Sequence, residues 1–149
     1  MSLEKSIQEE MKTAMKAKDK DRLEALRSIK SAIMLAKTEK GAQSELSQED
    51  EIKMLQRLLK QRRDSEAIYK EQDRQDLAEV ETMQAEVIQG FLPEQLSQEE
   101  LESIIKEVIA QVGAESPKDM GKVMGPANAK IAGRAEGKVV AATVRQLLS

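Results

Sequence analysis

Between Ser116 and Lys138 the chain gathers the residue types that can meet an anion. The stretch holds four of the seven glycines and two of the three prolines, together with Lys118, Lys122, Lys130, Arg134 and Lys138. Residues 116 to 149 carry 6 basic side chains against 2 acidic ones, in a protein whose net charge is −3. Cations beside glycines suit a phosphate: bare backbone lets it come close to N–H groups while Lys and Arg neutralise its charge.

Helices must position these groups. Ser116 as N-cap, Pro117 at the first helical position and Asp119 closing a capping box predict a helix from Pro117. Met120, Val123, Met124, Ala127 and Ile131 recur at helical spacing and form its core-facing side. Lys118, Lys122 and Gly125 fall opposite, with Gly121 beside them. A glycine inside a helix costs roughly 1 kcal/mol against alanine, so two of them four apart, off the apolar side, call for a reason. One is a close helix–helix contact, or a kink prepared for Pro126; the other is a phosphate or another chain lying on the exposed backbone. Gly133 reads as a left-handed stop, and Glu136-Gly137 opens a last helix with Val139, Val140, Thr143, Val144, Leu147 and Leu148 on one face. Arg134 and Lys138 then bracket a helix N-terminus, where cations oppose the helix dipole unless a bound anion offsets them.

Composition removes some of the commonest catalytic groups. There is no cysteine and no histidine, hence no thiolate nucleophile and none of the commonest general bases or metal ligands. Gly121-Lys122 is followed by Val123 and has no upstream glycine, so it is not a phosphate-binding P-loop. No residue is assigned a catalytic role, and no metal and no cofactor is expected. Absent cysteines suit a reducing cytoplasm. The charged N-terminus has no apolar signal region, and no run approaches a membrane span, so a soluble, cytoplasmic protein is expected.

The remaining chain reads as helical scaffolding. Aromatic residues make up only 1 %, so the core must be built from Leu, Ile, Val, Met and Ala, and an all-α fold follows from the abundance of Glu, Lys, Gln and Arg. Leu3, Ile7, Met11, Ala14 and Met15 mark a first helix. Asp21 with Glu24 caps a second, which carries Leu23, Leu26, Ile29, Ile33 and Ala36 to a stop at Gly41 after Lys37 and Lys40. After a polar loop from Ala42 to Leu46, Ser47 with Asp50 starts a long third helix through Ile52, Leu55 and Leu59. Its second half has a thin apolar stripe that leaves the core or pairs with an adjacent helix through Ile68 and Tyr69. Arg57, Lys60, Arg62 and Arg63 there read as a solvated, ion-paired face. Leu77, Val80, Met83 or Gln84, Val87 and Ile88 form a fourth helix ending at Gly90. Ser97 with Glu100 caps a fifth through Leu101, Ile104, Ile105, Val108 and Val112 to Gly113. Phe91-Leu92-Pro93 is the candidate boundary between two domains, 1–92 and 93–149.

Several blocks carry a family resemblance: Arg22-Leu-Glu-Ala-Leu-Arg27, Gln61-Arg62 with Ser65, Arg74-Gln-Asp-Leu77, Glu81, Phe91-Leu-Pro-Glu-Gln-Leu96, Asp119-Met-Gly-Lys-Val-Met124 and Gly133-Arg-Ala-Glu-Gly137. Together they resemble the YqeY family of the GatB/YqeY group over essentially the whole chain. The departures are modest: Phe91 stands where the family usually has tyrosine, Glu136 where it has aspartate, and Gln84 where glutamate is common. The resemblance implies a multihelical N-terminal domain followed by a small three-helix C-terminal domain. That domain is similar to the tail of the B subunit of the glutamine-dependent aminoacyl-tRNA amidotransferase, where the tail helps hold tRNA.

Two functions fit this resemblance. One is a non-catalytic accessory protein that binds tRNA or a tRNA-enzyme complex through Lys118, Lys122, Lys130, Arg134 and Lys138. The other is a component of a glutamine-dependent carbon–nitrogen ligase, for which the isolated chain lacks an activated nucleophile. A helical protein–protein adaptor is a third reading. Scarce aromatics leave little to stack single-stranded bases on, so structured RNA, gripped by phosphate and shape, is the nucleic acid expected.

Overall fold

Side-chain oxygens start the helices where the sequence places polar residues before apolar stripes. In the computed structural model, which describes residues 2–39, 41 and 45–149, Ser2 Oγ accepts from the Lys5 N–H at 3.3 Å, and Ser47 and Ser97 accept from the Asp50 and Glu100 N–H groups, each at 3.1 Å. These caps open α1 (Leu3–Ala17), α3 (Gln48–Glu71) and α5 (Gln98–Val112). The start of α2 (Lys20–Glu39) differs from expectation: Asp19 caps it, accepting from the Arg22 N–H at 3.1 Å, while Asp21 sits inside the helix. Lys18 turns left-handed with φ 58°, which ends α1 and leaves Asp19 as the last residue free to cap. The other helices are α4 (Gln75–Gln89), α6 (Met120–Ile131) and α7 (Gly137–Leu148), with a 3₁₀ turn at Pro117–Asp119 before α6. No strand occurs among the described residues, so the fold is all-α. Lys40 and loop positions 42–44 lie outside the described residues.

The chain divides into two compact units, Met1–Leu92 and Pro93–Ser149. In the first, α1 to α4 bury Ile7, Leu26, Ile29, Leu55, Leu59 and Ile88 almost completely. Met15 and Val80, expected on apolar faces, are exposed instead. Each sits at the margin of its stripe, and the crossing of the partner helix decides which margin is covered.

The second half of α3 pairs with α4, and its charges line that seam. Arg62 reaches Glu81 at 3.3 Å; Glu66 takes Arg63 at 3.1 Å and Lys70 at 2.8 Å. The Glu66 and Glu81 side chains are only 13 % exposed, so this is a half-buried ionic seam and not the solvated face expected. Lys60 with Asp64, at 2.7 Å, does lie on the outside.

In the second unit α5, α6 and α7 enclose Leu101, Ile105, Val108, Val123, Ile131, Val140 and Val144. Val139 falls outside this core and is exposed. Buried Thr143 is satisfied twice: its hydroxyl donates to the Val139 carbonyl at 2.8 Å and accepts from Gln98 at 3.1 Å. No helix among the described residues is long and apolar enough to cross a membrane.

Candidate anion-binding face of the C-terminal unit

Two kinds of turn precede and follow α6. Upstream, Ser116 is extended and its side chain makes no capping bond. Asp119 makes no side-chain capping bond either; its carboxylate reaches back and accepts from the Glu115 N–H at 2.9 Å. The helix therefore begins as a 3₁₀ turn at Pro117 and becomes α-helical at Met120. The Glu115 N–H, helped by the nearby Lys122 charge, holds the Asp119 carboxyl below its usual range. Lys122 Nζ stands 3.8 Å from that carboxylate and stays largely exposed.

Along α6, Val123, Ala127 and Ile131 are buried, while Gly121, Lys122, Gly125, Pro126 and Ala129 face outward. A Cβ added at Gly121 or Gly125 would meet nothing within 4 Å. Neither glycine has a positive φ. Packing within the described structure and backbone conformation therefore give no reason for either glycine. Pro126 lies inside the helix, which continues to Ile131; its missing N–H leaves the Lys122 carbonyl without its usual i+4 donor.

Downstream, Ala132 and Gly133 are both left-handed, with φ 49° and 82°. Helix α6 thus ends with Gly133 left-handed just past its cap, as the sequence predicts, and the cap residue Ala132 is a second left-handed position that the sequence does not signal. Arg134 then folds back: Nε donates to the Ile131 carbonyl at 3.0 Å and Nη2 to the Lys130 carbonyl at 2.9 Å. The sequence suggests a cation opposing the dipole of α7. The structure places the guanidinium on the C-terminal carbonyls of α6, where a positive charge is favourable.

The five cations are spread along α6, not gathered in one cluster. Lys118 and Lys122 stand at its start. Lys130 reaches across to α5, 3.5 Å from Glu107 and 3.4 Å from Gln111. Lys138 lies in the first turn of α7 and is exposed. No salt bridge joins Lys118 or Lys138 to a described residue. A helix of 12 residues rises about 18 Å, which sets the scale between the two ends of the face. Helix α5 and its flanks are the opposite pole: residues 93 to 115 carry 6 acidic side chains against a single basic one, Lys106.

One residue of this corner escapes a reading by pattern. Gln95 spends both hydrogens of its amide on carbonyls, Pro93 at 2.8 Å and Gly133 at 3.1 Å. Beside it the Leu96 N–H donates to the Arg134 carbonyl at 2.7 Å. The Leu-Pro-Glu-Gln-Leu and Gly-Arg-Ala-Glu-Gly blocks are thus bonded to each other. Among the described residues, no group of three or more Asp or Glu side chains converges as metal ligands.

The model of the YqeY-like protein family matches residues 4–148. The chain belongs to the YqeY-like family. It is also 36 % identical, over 87 residues, to the Altered inheritance of mitochondria protein 41, mitochondrial, of Clavispora lusitaniae. That match covers 58 % of this chain and 49 % of the relative, so the chain matches about half of that protein's length. The family match takes in both units of this YqeY-like chain, with every residue of the α6 face and the corner after it.

Proposed function

We propose that this YqeY-like protein is a non-catalytic accessory protein that binds structured RNA, tRNA or a tRNA-bound enzyme, through phosphate contacts on the α6 face and the start of α7. The observation that carries this reading is the bare strip at Gly121 and Gly125, open to solvent and flanked by Lys118 and Lys122. A polyanion lying there gains close approach to backbone and two cations at once. Lys138 adds a third contact at the far end of the helix, and Lys130 is a weaker flank because Glu107 already shares its charge. One tyrosine and one phenylalanine in the whole chain offer no platform for base stacking, which favours recognition by phosphate and shape.

The test is a mobility shift of purified protein on total tRNA across a salt series. Three phosphate contacts give a log–log slope of about −2.7. A slope near zero, or no shift at low salt, removes the RNA reading. Four-residue spacing of small residues also suits a second helix lying on α6, so the adaptor reading would then take its place. An association with a glutamine-dependent amidotransferase would supply the tRNA; the chain itself holds no cysteine or histidine for that chemistry, and glutamine-dependent ammonia release by the pure protein is not expected.

A further inference from the structure

The corner between α6 and α7 is costly to form and heavily tied. Two successive left-handed residues, one of them an alanine, oppose chain preference. Against that cost stand four bonds: Gln95 to the Gly133 carbonyl, the Leu96 N–H to the Arg134 carbonyl, and the two donors of Arg134 to Ile131 and Lys130. Three of these involve Arg134, and the guanidinium presents its Nε–Nη2 edge, the edge that grips two acceptors at once, to the protein's own backbone.

We infer that Gln95 and Arg134 are positioning residues of the phosphate-binding face, holding the α6–α7 corner so that Lys138 meets the ligand at a fixed spacing from Lys118 and Lys122. This rests on the phosphate-binding reading above and divides its cations by role. Lys118, Lys122 and Lys138 touch the ligand; Arg134 acts through the corner. A positioning residue fixes the geometry in which the contacts form without being one of them. Its loss adds an ordering cost to binding but removes no contact, so binding weakens and the salt slope stays almost unchanged, whereas the loss of a contact lowers the slope by about 0.9. Lysine in place of Arg134 keeps the charge but cannot hold two carbonyls with a planar fork.

The experiment compares the full-length wild type with Gln95→Met, Arg134→Lys, Arg134→Ala and Lys138→Ala on tRNA across salt. The first three are expected to bind about tenfold more weakly at a fixed salt concentration and to keep the wild-type slope; Lys138→Ala is expected to lower the slope by about 0.9. Wild-type affinity in Arg134→Lys together with a slope lowered by about 0.9 in Arg134→Ala makes Arg134 a contact and overturns the inference. Amide hydrogen exchange in the free proteins provides a reading independent of RNA. The Leu96 and Arg134 amides should exchange at least tenfold faster in Gln95→Met and Arg134→Lys at unchanged melting temperature, and unchanged exchange also overturns the inference. A wild type that binds no tRNA at low salt overturns the phosphate reading and this one together, a result distinct from a wild type that binds while Arg134 behaves as a contact.

Discussion

Gly121 and Gly125 carry a cost that nothing in the described structure offsets. Each occupies an exposed position of α6 with open space where a Cβ would stand. Alanine at either position should raise stability by about 0.5–1 kcal/mol through helix propensity and a less flexible unfolded chain, as measured by urea unfolding. The double variant should at the same time bind tRNA more weakly, because two methyl groups push the backbone away from the ligand. Stabilisation with undiminished binding would show that the bare strip serves something other than this contact. Arg134 shows how far such a reading reaches from sequence. An arginine just past a left-handed stop is a natural donor to the preceding carbonyls, so its role was legible from local spacing, although the helix that follows draws the eye instead. Gln95 was not legible, since its partner Gly133 lies 38 residues away and only the packed unit brings the two together.

At the scale of helices, the caps at Ser47 and Ser97 were readable because capping is settled within four residues. The margins at Met15, Val80 and Val139 were not, because neighbouring helices decide them. The ionic seam between α3 and α4 was half readable: its i, i+3 and i, i+4 pairs follow from spacing, whereas Arg62 with Glu81 needs the partner helix. Glu66 is its hub, and Lys70 first, with Arg63, holds its carboxyl below the ordinary value of 4.5. A carboxyl with a lower pKa in the folded than in the unfolded state contributes stability above the unfolded value, and that stability is lost as pH falls through the folded value. Glu66→Gln should therefore cost about 1 kcal/mol at pH 7, and the cost should shrink as the pH drops below about 4.5. Chemical denaturation of wild type and variant at pH 7 and pH 3 checks this; an equal difference at both pH values would mean that the Glu66 charge is not what matters.

At the scale of the molecule, each unit closes its own apolar core. Residues 93–149 expressed alone should give a helical circular dichroism spectrum and a cooperative, if modest, thermal transition, since domains of about 60 residues are marginal. A fragment without a transition would mean that residues 1–92 are needed to complete the C-terminal fold. The composition made the all-α class readable, because a chain almost without aromatics must build its core from aliphatic side chains on helices. It said nothing of the charge separation within the second unit, where an acidic α5 is packed against the basic α6 and α7.

That separation has a kinetic consequence. A unit with nearly balanced total charge feels little net pull toward a polyanion at long range, but its two poles feel a torque in the field gradient. For the RNA partner proposed above, the acidic helix would be turned away and the α6 face forward while the two are still a Debye length apart, roughly 10 Å at 0.1 M salt. Productive encounters would then be selected by rotation before any contact forms, and salt should slow association chiefly by letting the unit arrive wrong side first.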